Sequence, residues 1–406
     1  MIKNIIASLT GLLFFMAAHA QLEYKDDNTV YKNIYAKDLC ALLQNNPNAL
    51  LIDVRSPGEY SDTAAMGSMN IGHLKGAINI PIKNFPAAIA GLKNNADQPV
   101  ILYCSHSQRS RRVSKMLADN GFTHVLNLNG GMAVLNQDSE ENFPCKKEMI
   151  VYASPYKNIN GADAVSLIKN DPNLLVIDTR SAMSYSGKDS TEENNIGRIR
   201  HSINIPADEF AAKWKKPASS KAVLVVDNDY GNQSAVAAKW LTEHGYTNVY
   251  SLTGGLAAFV GQSKNTLADR KAVMEALPAY SLLNPKETMD LLTAKPETVV
   301  LDLRSAEDFN NRSPKKWHNL GHIRNASNIQ PDHFTEKMKE LEQYKQAPIL
   351  VYGNDDPAKF CRMLNDAGFE NVNIIYDGLW SMVSGAANFS ELQGIRPLLT
   401  DHEGLY

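Results

Sequence analysis

The chain repeats itself, and the repeat limits its fold more than any other feature. Leu51-Ile52-Asp53-Val54-Arg55-Ser56 returns as Val176-Ile177-Asp178-Thr179-Arg180-Ser181 and again as Val300-Leu301-Asp302-Leu303-Arg304-Ser305. Ile78-Asn79-Ile80-Pro81 returns as Ile203-Asn204-Ile205-Pro206 and as Ser327-Asn328-Ile329-Gln330-Pro331. Asn129-Gly130-Gly131 returns as Thr253-Gly254-Gly255 and Asp377-Gly378-Leu379. Asp53 to Asp178 is 125 residues and Asp178 to Asp302 is 124. That period is too long for a solenoid unit and right for a whole domain, so beads are expected rather than stacked repeats. The boundaries read as a leader over 1–20 and domains over 21–148, 149–272 and 273–406.

Within each copy, short apolar runs alternate with amphipathic stretches. Pro99-Val100-Ile101-Leu102-Tyr103 is apolar throughout, as a strand buried on both faces must be. The pattern predicts an α/β fold in which each copy is a parallel sheet with helices on both faces. Ligands of such sheets sit beyond the carboxyl ends of the strands, where loops feed helix N-termini. The stretches around 138–150 and 262–279 read as polar or helical linkers.

The leader is expected to be a signal peptide. Lys3 supplies the positive charge, Ile5 to Ala17 an apolar run, and Ala18-His19-Ala20 the small residues before cleavage at Gln21. The run is short for a membrane span, and no later stretch is long and apolar enough for one. The mature protein is therefore expected in the periplasm or outside the cell. A formal net charge of −3 offers no bulk attraction to nucleic acid or anionic membrane, so any anion site must be local. The four cysteines, Cys40, Cys104, Cys145 and Cys361, fit no zinc spacing. Cys40 and Cys361 lie in helical stretches and read as small buried hydrophobes. Cys145 follows Pro144 in a linker; pairing with Cys40 stays open at this level.

One loop carries chemistry. Tyr103-Cys104-Ser105-His106-Ser107-Gln108-Arg109-Ser110 follows a buried strand and precedes a helix opening Arg111-Arg112-Val113. Loop N–H groups and the positive end of a helix dipole form a nest for anions and favour a thiolate, the reactive form of cysteine. Cys104 is the expected nucleophile, and Arg109 closes the loop with a cation. Ser105, His106, Ser107, Gln108 and Ser110 complete the expected donor-binding set. His106 either adds positive charge or points to solvent. Arg111 and Arg112 read as a basic rim, Asp53 and Arg55 as a brace for the loop, and Glu59 and His73 as structural.

Asp53-Val54-Arg55-Ser56-Pro57-Gly58-Glu59-Tyr60, Gly72-His73-Leu74-Lys75-Gly76-Ala77-Ile78-Asn79-Ile80-Pro81 and the six residues Cys104 to Arg109 together resemble the rhodanese family. Ser107 stands where many members carry glycine, which puts the loop's shape in question. The resemblance implies sulfur transfer by double displacement. The Cys104 thiolate takes the outer sulfur of a small anionic donor such as thiosulfate, and a cyanide or thiol acceptor removes it from the persulfide. No metal or organic cofactor is implied. The second copy carries Asp227 in place of the cysteine, with a longer loop, Asn228 to Gln233, that lacks arginine. The third carries Gly353 and a shortened loop, with Asp356 and Pro357 reading as N-cap and N1 of the next helix. Both are expected to be sulfur-inert and open to a protein partner. Two other functions stay open: a scaffold protein without turnover, and phosphate or arsenate chemistry at the Cys104 loop.

Overall fold

A computed structural model describes residues 30–215, 222–228, 232–261 and 265–400. The leader through Gln21 and the second-copy loop residues Asp229, Tyr230 and Gly231 lie outside these. The chain forms two compact units, one ending at Ala153 and the other built on Ser154–His402.

The first unit holds one five-stranded sheet and one two-stranded sheet. Its elements are β1 (Lys32–Ile34), α1 (Ala36–Asn45), β2 (Leu50–Asp53), α2 (Pro57–Tyr60), β3 (His73–Leu74), β4 (Ile78–Asn79), α3 (Phe85–Leu92), β5 (Val100–Tyr103), α4 (Gln108–Asp119), β6 (Val125–Leu128), α5 (Gly131–Gln137), α6 (Lys146–Met149) and β7 (Ile150–Val151). Five strands run parallel in the order β1-β6-β5-β2-β4. Side chains alternate between faces along a strand. Leu51, Ile101 and Tyr103 therefore pack on one side with Leu39 and Met132, while Ile52, Val100 and Leu102 pack on the other with Phe85, Val113 and Leu117. Both faces being covered explains why β5 is buried at every residue.

The second unit contains two further sheets of the same order. The sheet of the second copy uses Lys157–Ile159, Leu174–Asp178, Ile203–Asn204, Ala222–Val226 and Val249–Leu252. That of the third uses Ser281–Leu283, Val299–Asp302, Ser327–Asn328, Ile349–Tyr352 and Val372–Ile375. These two copies are not separate beads. One apolar core runs through both, from Val176, Leu224 and Phe259 to Tyr280, Leu301 and Ile374. Arg270, itself buried, ties them as well, donating to the Leu282 carbonyl at 2.6 Å and to Glu287 at 2.7 Å.

At the end of the second strand of each sheet sits the same buried ion pair. Arg55 donates to Asp53 at 2.7 Å and to the Gly72 carbonyl at 2.6 Å. Arg180 does so to Asp178 and Gly197, and Arg304 to Asp302 and Gly321. Asn79, Asn204 and Asn328 bridge the two backbone carbonyls of the Asp-x-Arg segment in each copy. Asp53 and Arg55 thus brace the loop that ends at Gly72, not the Cys104 loop directly.

Two expectations are corrected in the first unit. The 138–150 stretch is not a linker: Phe143 is fully buried, and β7 pairs antiparallel with β3. That return of the chain brings Cys145 beside α1, where it forms a disulfide with the half-buried Cys40. Cys40 is therefore a cross-link and not a small core residue. Cys361 does fit the buried reading, and burial pushes its thiol pKa well up.

The disulfide closes 105 residues of chain. Crosslinks over such long loops stabilise by about 2–4 kcal/mol. Thiol titration of the denatured, unreduced protein should find two free cysteines, Cys104 and Cys361. The Cys40→Ala/Cys145→Ala variant should show faster hydrogen exchange in α1 and β5. Four free thiols, or unchanged exchange, would contradict the cross-link.

Candidate functional site

The site is built where β5 hands over to α4. Val100–Tyr103 is held by β2 and β6 on either side, so the chain leaves the sheet at a fixed point. Cys104 is the next residue. It is 1% exposed, so its sulfur lies on the floor of the loop rather than at its rim. The small residues that follow do not keep it open to solvent, because α5 closes over the loop's back. Met132 N–H donates to the Cys104 carbonyl at 2.9 Å, and Ala133 N–H to that of Ser105 at 2.9 Å. This close approach needs Gly131, whose φ is +57° and where a Cβ would come within 2.2 Å of the Cys104 carbonyl oxygen.

With its carbonyls taken by α5, the loop has its N–H groups left over. Among the described residues none accepts a hydrogen bond from the N–H groups of Ser105, His106, Ser107, Gln108, Arg109 or Ser110. The last three belong to the first turn of α4, where intrahelical partners do not exist. A set of converging N–H groups at a helix N-terminus is an anion site. Ser107 keeps the left-handed conformation a glycine would take, φ +68°. Its buried hydroxyl donates to the Leu128 carbonyl at 3.2 Å. The serine therefore preserves the loop's shape and turns its hydroxyl away from any ligand.

The side chains divide into distinct roles. Arg109 makes a two-pronged bond to Glu59, 2.7 Å at each prong, and a third to Ser105 Oγ at 2.9 Å. Burial opposes its charge, but Glu59 and then Cys104 hold the guanidinium protonated, its pKa raised above the ordinary range. Burial likewise opposes the Glu59 carboxylate, and Arg109 holds its pKa below the usual range. Glu59 also accepts from the Ser56 N–H at 3.0 Å while Ser56 Oγ accepts from the Glu59 N–H, a capping box on α2. One carboxylate thus starts α2 and fixes Arg109. The spacing Ser56-x-x-Glu59 carried the first role in the sequence; nothing in it carried the second.

Ser110 Oγ lies 3.7 Å from Cys104 Sγ and 2.7 Å from Asn127 Oδ1, and Asn127 in turn donates to Asn33 at 2.7 Å. His106 has an exposed ring that is nonetheless crowded by protein. That crowding, and next the Arg109 charge, push its pKa down to about 4. Solvent screening weakens the effect on an exposed group but does not reverse it. His106 is neutral near neutral pH and adds no positive charge. Gln108 is half-buried on the first turn of α4. His73 stacks on Tyr60 with ring centres 4.2 Å apart. Arg112 is exposed, but Arg111 is not on a rim at all: it is 4% exposed and donates to Asn129.

The equivalent positions in the second unit are taken. Asp227 is fully buried and its carboxylate accepts the Ser234 N–H, at the start of the following helix, at 2.7 Å. A carboxyl group that belongs to the protein thus occupies the start of that helix. In the third copy the loop is shortened, and Asp356 precedes Pro357 as the N-cap residue. Its carboxylate does not cap its own helix. It accepts from the N–H groups of Glu192 and Glu193 of the second copy at 3.0 and 3.1 Å, and Arg362 pairs with Glu192. The third loop is thus part of a joint. No group of His, Cys, Asp or Glu that could hold a metal occurs among the described residues.

A model of the rhodanese-like domain matches residues 36–138, 161–262 and 284–384. The tRNA uridine(34) hydroxylases of Salmonella paratyphi B and Salmonella typhi are 31% identical over 111 residues, which cover 26% of this chain and 29% of theirs. The chain thus spans less than a third of the length of these curated relatives. A thiosulfate sulfurtransferase from Pseudomonas aeruginosa is 16% identical, with 91% of this chain and 68% of that one covered and a TM-score of 0.25. A rhodanese-related protein from Thermoplasma volcanium is 28% identical, with 27% of this chain and 94% of that one covered and a TM-score of 0.22. The three matches to the domain model take in well over half of the sequence, and the chain belongs to the rhodanese-like domain family.

Proposed function

We propose that this chain is an exported sulfurtransferase in which the first repeat alone does chemistry. The observation that carries the reading is a free cysteine beneath loop N–H groups that have no acceptor among the described residues. The Cys104 thiolate attacks the outer sulfur of thiosulfate. The S–S bond of the donor breaks, its electron pair leaves with sulfite, and a Cys104 persulfide forms. Cyanide or a thiolate then attacks the outer persulfide sulfur, forming thiocyanate or a new persulfide and returning the Cys104 thiolate. Loop N–H groups and Arg109 stabilise anionic sulfur in both steps. A sulfur on the floor of the loop favours donors with a terminal sulfur on a small head. The hydroxylase activity is not carried over, because the Salmonella enzymes are matched over less than a third of their length.

Mass spectrometry after thiosulfate treatment should find about one added sulfur on the peptide holding Cys104, as thiolate attack requires. Cys104→Ser should abolish thiosulfate:cyanide transfer. An aryl phosphate should not be turned over. Full transfer by Cys104→Ser would end the enzyme reading, and aryl phosphate hydrolysis through Cys104 would favour phosphate chemistry.

We propose further that the second and third repeats act as a rigid partner-binding or spacing unit. Asp227→Cys in a Cys104→Ser background should stay inactive with thiosulfate. The second loop still lacks an arginine equivalent to Arg109, still has the extra residue, and still carries Asp229, which disfavours a nearby thiolate. Turnover comparable to the intact first repeat would show that loop length and arginine do not decide activity.

Export is supported by the Cys40–Cys145 disulfide, a bond that oxidising compartments maintain. N-terminal sequencing of protein from its native envelope should begin at Gln21; Met1 retained in a cytoplasmic fraction would contradict it.

A further inference from the structure

We propose that Ser110 and Asn127 form a two-position hydroxyl switch for the Cys104 sulfur. Asn127 holds the Ser110 proton while the sulfur is a thiol, and the sulfur takes that hydrogen bond over once it is an anion. The proposal deepens the sulfur-transfer reading above and rests on it for the anion's part in turnover.

A serine hydroxyl has one proton to donate and lone pairs that accept. Ser110, fully buried near the start of α4, has three acceptors within reach. They are Asn127 Oδ1 at 2.7 Å, the Ser107 carbonyl at 3.1 Å and Cys104 Sγ at 3.7 Å. The Ser107 carbonyl already accepts the Arg111 N–H at 2.9 Å. Asn127 is fully buried in β6, and its Nδ2 donates at 2.7 Å to Oδ1 of Asn33, which lies opposite it in register on β1. That bond fixes the amide with its oxygen toward Ser110. The shortest of the three bonds takes the proton. With Cys104 a thiol, Ser110 donates to Asn127 and leaves its own oxygen to accept the S–H. Once the sulfur has lost its proton to water it only accepts. Rotation about the Ser110 Cβ–Oγ bond then aims the hydroxyl at the sulfur, and a charge-assisted hydrogen bond replaces a neutral one. No covalent bond of Ser110 or Asn127 forms or breaks.

The other copies show that the fold does not need this trio. In the third copy Gly353 replaces the cysteine, and the places of Ser110, Asn127 and Asn33 are taken by Pro357, Ile374 and Leu282. In the second copy Asp227 follows the strand, and the hydroxyls of Ser234 and Ser251 meet at 3.0 Å. Burying polar side chains costs stability unless each is bonded. Polar residues stand at these places where the strand is followed by a group that carries negative charge, and apolar ones where it is followed by glycine. Ser110 touches the sulfur, and Asn127 is a positioning residue that acts through Ser110.

Alkylation of Cys104 by iodoacetamide reads thiolate formation without requiring turnover. In the full-length, unreduced protein Cys40 and Cys145 are blocked by their bond, and peptide mass spectrometry separates Cys104 from Cys361. Near pH 7, Ser110→Ala should be alkylated about fivefold more slowly than the parent, the effect of one lost hydrogen bond to the thiolate. Asn127→Ile, which borrows the residue of the third copy, should be alkylated about threefold faster, because the hydroxyl no longer has a competing acceptor. Asn33 is half-buried, so water replaces its lost partner. The double variant should match Ser110→Ala, since Asn127 acts only through the hydroxyl; independent contributions would add. At about pH 10 all four proteins should converge, because the thiol is then ionised without help. Arg109 and Arg111, the charged groups that interact with Cys104, remain cations at both pH values and are common to every variant. Asn127→Ser, the residue of the second copy, serves if the isoleucine variant does not fold. It should also be faster, since its hydroxyl has a proton of its own to give Ser110. A parent-like Ser110→Ala, slower alkylation of the Asn127 variants, or a double variant faster than Ser110→Ala would overturn the proposal. So would changes of equal size at both pH values, which would mean altered access to the sulfur. Failure of the unmodified protein to transfer sulfur would count against the proposed function and leave this comparison standing.

Discussion

The buried Asp–Arg pair at the end of the second strand is the interaction on which the rest of each sheet depends. The strand end carries backbone groups that have lost one neighbour and must turn away from the sheet. Arg55 answers three needs at once: its N–H and side chain both bond Asp53, and its far nitrogen bonds Gly72. The loop from α2 to β3 is thereby pinned to the sheet, which puts Glu59 at a fixed height beside Arg109. Because both side chains are out of water, removing either partner leaves a bare buried charge, typically a loss of about 3–5 kcal/mol. All three copies keep the pair, including the two without a cysteine. It is therefore part of the fold and not of the chemistry.

The three loops beyond that shared frame show three ways to satisfy the same helix N-terminus. In the first, the loop N–H groups after Cys104 have no acceptor among the described residues. In the second, Asp227 supplies a carboxylate from within, so the electrostatic demand of the helix end is met permanently. In the third, Gly353 leaves no side chain to fill the space, and the loop is short enough for Pro357 to open the helix. The acidic residue freed there, Asp356, turns outward and caps the segment Glu192–Asn194 of its neighbour. The two copies without the cysteine thus build this loop around other bonds.

The parallel sheet, the Cys104 loop and the absence of a cysteine from the corresponding loops of the other copies were legible in the sequence because each rests on local pattern. An unbroken apolar run, a cysteine at a strand-to-helix turn and a missing arginine are all written in adjacent residues. What escaped is set by distance along the chain. The clamp between Glu59 and Arg109 spans 50 residues. The disulfide spans 105, and Phe143 anchors a stretch whose composition looks like a linker. Arg111 was misplaced for a related reason. Charged residues are rarely buried, so the default for Arg111-Arg112 is a wet surface. Helix periodicity decided otherwise, since α4 turns Ser110, Arg111, Val113 and Ser114 inward and leaves Arg112 outside.

These features bear on where each unit gets its stability. The first unit carries destabilising elements around the Cys104 loop: a serine held in a left-handed conformation, and a buried guanidinium that pairs with no carboxylate among the described residues. A left-handed non-glycine residue alone costs about 1–2 kcal/mol. The same unit holds the disulfide and the packed return of 139–151 against β3. The second unit has no disulfide among its described residues. It relies on a core shared between two sheets and on the Arg270–Glu287 tie. A cross-link that lowers the entropy of the unfolded chain offsets such local costs without touching the loop. The disulfide lies on the opposite face of the sheet from the Cys104 cluster. The fold of the first unit thus keeps its bonded sulfurs and its free sulfur on two sides of one sheet.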